Sequence, residues 1–227
     1  MKKLIFAFIA MFFVPVTQAA SEFKEGVEYT VVSEIASSKR EVTEFFSYIC
    51  PHCYSFQPLM QQLEERVPEA EINKVPVGFL GKELGPVLQR AYGAAKLLKV
   101  EDKLTPVMFD RIHRQKKVPG SINDVKEVFV ANGVDAKDFD GVINSFALNG
   151  MIAKYDRQTE QFNIRGTPTL IVRGKYQLNM SEIGSEDRFY RVVEYLLSAD
   201  LYCHHSVTAA GYYRPFLYQR LLTKSCQ

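Results

Sequence analysis

Glu44-Phe45-Phe46-Ser47-Tyr48-Ile49-Cys50-Pro51-His52-Cys53 is the stretch on which the fold turns. Its first part is an apolar run with β-strand preferences. It ends on two cysteines set one helical turn apart, with a proline suited to the first turn of a helix, where no intrahelical N–H bond is lost. A strand therefore feeds a helix, and the Cys50 sulfur is expected at the exposed helix N-terminus, where unpaired N–H groups and the positive end of the dipole favour a thiolate. The chemistry to expect is a reversible disulfide. A bridge closing so short a loop removes little entropy from the unfolded chain, so stability alone does not explain it. His52 lies between the cysteines, where an imidazole can offer an N–H or a partial positive charge to the sulfur.

Working outward, the chain opens with Lys2 and Lys3, an apolar stretch from Leu4 to Val14, and Thr17-Gln18-Ala19. This is the pattern of an export signal, with cleavage expected after Ala19. The apolar run is too short for a comfortable span, and no later stretch approaches the ~20 apolar residues of a transmembrane helix. An exported chain meets oxidising conditions, in which a CxxC works as a redox couple. Its 28 Lys and Arg stand against 26 Asp and Glu, and the signal holds two lysines and no acid, so the mature chain is balanced. Nothing in that balance calls for nucleic acid.

Glu28 to Val32 reads as a first strand, Val42 to Ile49 as a second, buried on both faces, and Ile72 to Val77 as a third. Between the last two, Phe56, Leu59, Met60, Leu63 and Val67 recur at helical spacing. From Gly81 to about Gln161 the pattern is helix after helix. Ala91 to Leu98 and Lys103 to Lys116 are helical, Ser121 and Asp124 form a capping signal, and Phe139, Val142, Ile143 and Phe146 make one apolar stripe. Thr169 to Val172, the turn Arg173-Gly174-Lys175 and Tyr176 to Leu178 read as a hairpin, followed by a helix from Glu186 to Ser198.

With these marks in order, the chain resembles the thioredoxin superfamily and, within it, the DsbA family of periplasmic thiol:disulfide oxidoreductases. The resemblance covers roughly residues 22 to 198. Its marks are Glu44-Phe45-Phe46-Ser47 before Cys50-Pro51-His52-Cys53-Tyr54, then Phe79-Leu80-Gly81, Val100-Glu101-Asp102-Lys103, Arg165-Gly166-Thr167-Pro168 and Gly174-Lys175-Tyr176-Gln177-Leu178. It implies an α/β thioredoxin fold with an inserted all-helical domain. The parts are a signal peptide (1–19), a first thioredoxin-like part with the CPHC motif (20–80), the helical insertion (81–161), a second thioredoxin-like part (162–198) and a C-terminal tail of unassigned role (199–227).

The resemblance further implies catalysis by Cys50, Cys53, His52 and Pro51, with no cofactor beyond the redox-active Cys50–Cys53 disulfide. Thr167 and a cis Pro168 would lie against the cysteines and bind an extended client segment by strand addition. Glu44 and Lys74 match a charged pair that the family holds beneath the active site, and Gln57 stands where the family has an acid. The implied partners are reduced or unfolded exported proteins and a quinone-linked inner-membrane oxidase of the DsbB type. A monomer is the simplest state.

Two other readings compete. Thr167 departs from the valine common in DsbA relatives and also occurs in the isomerase branch of the superfamily, so an isomerase or reductase of the same fold is the first alternative. The second is a metal-binding module joining Cys50 and Cys53 to Cys203, His204, His205 or Cys226. Cys203 and Cys226 are open to pairing with each other, to remaining free, or to pairing between chains.

Overall fold

The structure, a computed structural model, describes residues 22–199. Its centre is a five-stranded sheet in the order β1-β5-β4-β2-β3. The middle of that order is set by β2 (Glu41–Phe46), which pairs parallel with β3 (Glu71–Pro76) and antiparallel with β4 (Thr169–Val172). The hairpin partner β5 (Tyr176–Leu178) follows β4, and β1 (Tyr29–Val31) closes the far edge antiparallel to β5. A parallel neighbour needs a crossover connection, and α1 (Pro51–Arg66) supplies the one between β2 and β3.

The second strand is shorter than the apolar run suggests. It ends at Phe46, and Ser47 to Cys50 form a turn in which the Cys50 N–H bonds the Ser47 carbonyl at 3.0 Å. Hydrophobicity runs on through Tyr48 because that side chain is buried against a helix, with only 1% of its surface exposed.

Between β3 and β4 lies the helical block: α2 (Leu84–Leu97), α3 (Glu101–His113), α4 (Ile122–Ala131), α5 (Ala136–Ile143) and α6 (Phe146–Gln161). The first of these starts well before Ala91, since Gly85 and Pro86 fall in its opening turn, where proline is tolerated. Ser121 and Asp124 do make a capping box at α4. The stripe expected through Phe146 is broken: α5 ends at Ile143, Ser145 caps a new helix, and Phe146 at its first position is 92% exposed. The serine side chain, by satisfying an orphan N–H of α6, overrides the apolar spacing. The last helix, α7 (Glu186–Ser198), returns to the sheet.

Two cores result. Met60 and Leu63 of α1 join Val42, Leu170 and Val172 of the sheet and Val192, Val193, Leu196 and Leu197 of α7. Phe45, Phe46 and Ile171 instead join the helical block through Tyr92, Phe109, Phe129 and Leu148. Alternation along β4, with Leu170 and Val172 to one side and Ile171 to the other, is the period of a strand covered on both faces. This is a thioredoxin-like α/β core carrying an all-helical insertion.

Candidate active site

The site is built where β2 gives way to α1. Cys50 is the N-cap of α1, in extended backbone conformation, and Pro51 occupies the opening turn. Its sulfur plays the part usually taken by a serine or aspartate oxygen, accepting the backbone N–H of Cys53 at 3.2 Å. Both thiols are free. Cys50 is the more accessible, yet only 7% of its surface is exposed, against none for Cys53. It is less open than a helix N-terminus alone suggests, because a loop distant in sequence meets it: the Cys50 thiol donates to the Thr167 carbonyl at 3.4 Å.

The two sulfurs are driven apart in acidity. A hydrogen bond from the Cys53 thiol is the largest influence on Cys50. Against the opposing effect of burial, and helped by the Thr167 side chain and by the backbone N–H groups of Cys53 and His52, it holds Cys50 down to about 5. The same bond, which Cys53 would lose on ionising, pushes Cys53 up, and burial pushes it further. One proton is therefore easy to remove from the pair and the other hard.

The other expected residues fall as follows. The Thr167–Pro168 peptide bond is cis. The Thr167 hydroxyl is buried with no partner in hydrogen-bonding geometry, yet it lies near enough to both sulfurs to favour their ionised forms. The His52 side chain is exposed, and its backbone N–H favours the Cys50 thiolate.

Glu44 and Lys74 are register partners on β2 and β3 but do not form a direct ion pair. Lys74 Nζ donates to Gln57 Oε1 at 3.5 Å, and Gln57 Nε2 donates to the Cys53 carbonyl at 3.2 Å. Both Glu44 oxygens are buried and unpartnered. Burial raises the Glu44 carboxyl to about 7 in spite of the nearby Lys74 charge.

Sequence reasoning gives no cause to single out His113, yet it reaches this site from α3. Its Nε2 lies 2.8 Å from the Tyr48 carbonyl, and its ring stacks on Tyr54 at 5.0 Å. A lone histidine at the end of a helix carries no local signal of such a contact.

Among the described residues, no group of three or more His, Cys, Asp or Glu side chains gathers as a metal site. The tail ligands weighed for such a site, Cys203, His204, His205 and Cys226, lie outside the described residues, as does the expected cleavage after Ala19.

A thiolate-prone cysteine at a helix start, paired with a buried second thiol under a cis-proline loop, is the working part of a dithiol–disulfide couple. Known proteins agree. A DSBA-like thioredoxin domain model matches residues 41–189. The thiol:disulfide interchange protein DsbA of Pectobacterium carotovorum is 37% identical over 182 residues, which is 78% of this chain and 86% of that protein. DsbA of Haemophilus influenzae is 38% identical over 176 residues, covering 76% and 84%.

Among solved structures, a Proteus mirabilis DsbA variant with a non-covalently bound peptide, PWATCDS, aligns with TM-score 0.72 and 32% identity. The alignment covers 78% of this chain and 99% of that one. Pseudomonas aeruginosa DsbA in a variant form aligns with TM-score 0.72 and 27% identity, covering 78% and 97%. The matched region runs from β2 into the first turn of α7, and so holds both cysteines, the Thr167 loop and the helical block between them. The chain thus belongs to the DsbA-like family of thioredoxin-fold enzymes, as an exported, periplasmic thiol:disulfide oxidoreductase acting through its cysteine pair.

Proposed function

We propose that this enzyme runs mainly as an oxidase, handing the Cys50–Cys53 disulfide to newly exported proteins. A client thiolate attacks the Cys50 sulfur, the Cys50–Cys53 bond breaks, and Cys53 leaves and takes up a proton. A second client thiolate then attacks the client sulfur of the mixed disulfide, forming the client's own disulfide and releasing Cys50 as a thiolate. The client loses two electrons and the enzyme gains them. The observation that carries the reading is the place of Cys50 as the cap of α1, its sulfur accepting the Cys53 N–H at 3.2 Å. A fold that stabilises the Cys50 thiolate in this way, and pushes Cys53 the other way, favours the reduced enzyme and makes its disulfide a strong oxidant.

The surrounding residues have roles consistent with this. Pro51 opens α1, whose His52 and Cys53 N–H groups hold the leaving thiolate, and the His52 side chain is exposed. Once the Cys50 thiol proton is gone, the Thr167 carbonyl is free to accept an N–H from a client strand laid against Thr167 and Pro168. Glu44, with its carboxyl near 7, is the group suited to exchange the proton that Cys53 takes up or gives back, and the Lys74 charge, held by Gln57 against the Cys53 carbonyl, favours its ionised form. A monomer reoxidised by a quinone-linked membrane partner of the DsbB type completes the cycle.

Replacing Cys50 by Ser tests the assignment. Oxidation of a reduced test protein should stop while the far-ultraviolet spectrum stays native. Undiminished oxidation by C50S would refute it. Thr167 gives the isomerase alternative its footing, and a wild-type enzyme that repairs scrambled disulfides faster than it oxidises reduced chains would favour that alternative instead.

A further inference from the structure

Segment 48–54, which carries both cysteines, is gripped by one face of α3. Thr105, Phe109 and His113 follow each other at four-residue spacing and so share that face. Thr105 Oγ1 lies 3.3 Å from the Tyr48 hydroxyl. The Phe109 ring meets Tyr48 edge-on at 5.2 Å and Tyr54 at 6.1 Å. These two residues hold side chains. His113 holds main chain: a carbonyl can only accept, so the 2.8 Å contact makes Nε2 the protonated nitrogen, donating to Tyr48 two residues before Cys50. On the other side of the motif its ring lies nearly parallel to that of Tyr54, at 13°.

We propose that His113 is a positioning residue for the redox couple, fixing the turn before α1 and the first turn of α1 against each other so that the Cys53 N–H stays aimed at the Cys50 sulfur. The proposal rests on the oxidase reading of that sulfur. The physical link is short. The Cys50 sulfur accepts the Cys53 N–H at 3.2 Å across the joint between the Ser47–Cys50 turn and the helix. Hydrogen bonds weaken steeply as distance and angle relax. Tyr48 and Tyr54 flank that joint, and His113 contacts both. The helical insertion thereby acts on the chemistry of the sulfur without touching it.

The test uses the full chain with His113→Ala, His113→Phe and His113→Gln. Two readouts follow Cys50 itself: the pH profile of its alkylation by iodoacetamide, and the equilibrium in which the enzyme disulfide and two glutathione thiols give the dithiol and glutathione disulfide. In H113A the alkylation midpoint should rise by about half a pH unit or more, and the glutathione equilibrium should move at least ~3-fold away from the reduced enzyme. H113F keeps an aromatic ring but has no donor, and should follow H113A. H113Q can donate to the Tyr48 carbonyl and should return both readouts to within about 2-fold of wild type.

A role confined to stability would lower the melting temperatures and leave both Cys50 readouts in place, which overturns the proposal. A shift that H113Q fails to reverse overturns it too. If H113A does not fold, H113F against H113Q gives the same decision. The wild-type midpoint separately tests the oxidase reading: a value near that of a free thiol removes that reading, whereas the variants test only the difference His113 makes.

Discussion

The Cys50 sulfur accepts the backbone N–H of Cys53 at 3.2 Å, which makes the reactive atom the cap of its own helix. Capping and reactivity reinforce one another, because the donors that satisfy the helix end also stabilise negative charge on sulfur. Alkylation of the reduced protein should therefore show a midpoint near the value of about 5 at which Cys50 is held, with Cys53 unreactive in the same range. A midpoint close to 9 would contradict the geometry.

The same charge makes stability depend on redox state. Cys50 falls from an ordinary 9.0 when unfolded to about 5 when folded, so it contributes stability to the dithiol that is complete above pH 9 and is lost as pH falls through 5. The disulfide form has no such group. Chemical denaturation at pH 7 should find the reduced protein the more stable by a few kcal/mol, with the advantage shrinking towards pH 4. Equal midpoints at pH 7 would count against thiolate stabilisation.

Glu44 behaves in the opposite sense. Its folded value, about 7, lies above its ordinary 4.5, so ionising it in the buried site costs stability as pH rises through that window. Glu44→Gln should leave the protein near wild-type stability at pH 4 and stabilise it at pH 8 by on the order of 2 kcal/mol. Thermal melts at the two pH values check this. A loss of stability at pH 8 would mean that the carboxylate has a partner in solution.

Thr167 places near the sulfurs a buried hydroxyl that has no partner in hydrogen-bonding geometry while Cys50 carries its proton, and that favours the thiolate. Thr167→Val keeps the shape and removes that group, so the disulfide form should gain about 1 kcal/mol against denaturant. The Cys50 thiolate should lose support, because Thr167 lowers it in the wild type, and its alkylation midpoint should rise. An unmoved midpoint in T167V would exclude the hydroxyl as a donor to the thiolate.

Much of this molecule is written locally. The CPHC motif at the strand-to-helix junction, the Ser121–Asp124 capping box, the Thr169–Leu178 hairpin and the Glu186–Ser198 helix all follow from residues close in sequence, since caps, turns and periodic faces are short-range devices. Where sequence reading slips, at the end of β2 and at Phe146, a hydrophobic side chain continues a pattern that the backbone has already left. Burial there is decided by a neighbour, or by its lack, rather than by spacing.

The sequence by itself determined the redox couple, the helix that presents it and the split of the chain around a helical block, because each rests on chemistry within one turn or one strand. Only the tertiary structure decided which groups surround the sulfur. Thr167 meets Cys50 across 117 residues, a placement that the family resemblance implied but no local pattern did, and His113 meets Tyr48 across 65, which nothing in the sequence indicated. Neither residue has a local reason to be there. Contacts of that range exist only once sheet and helices have packed, and packing two covered faces around β2 brings both to the start of α1.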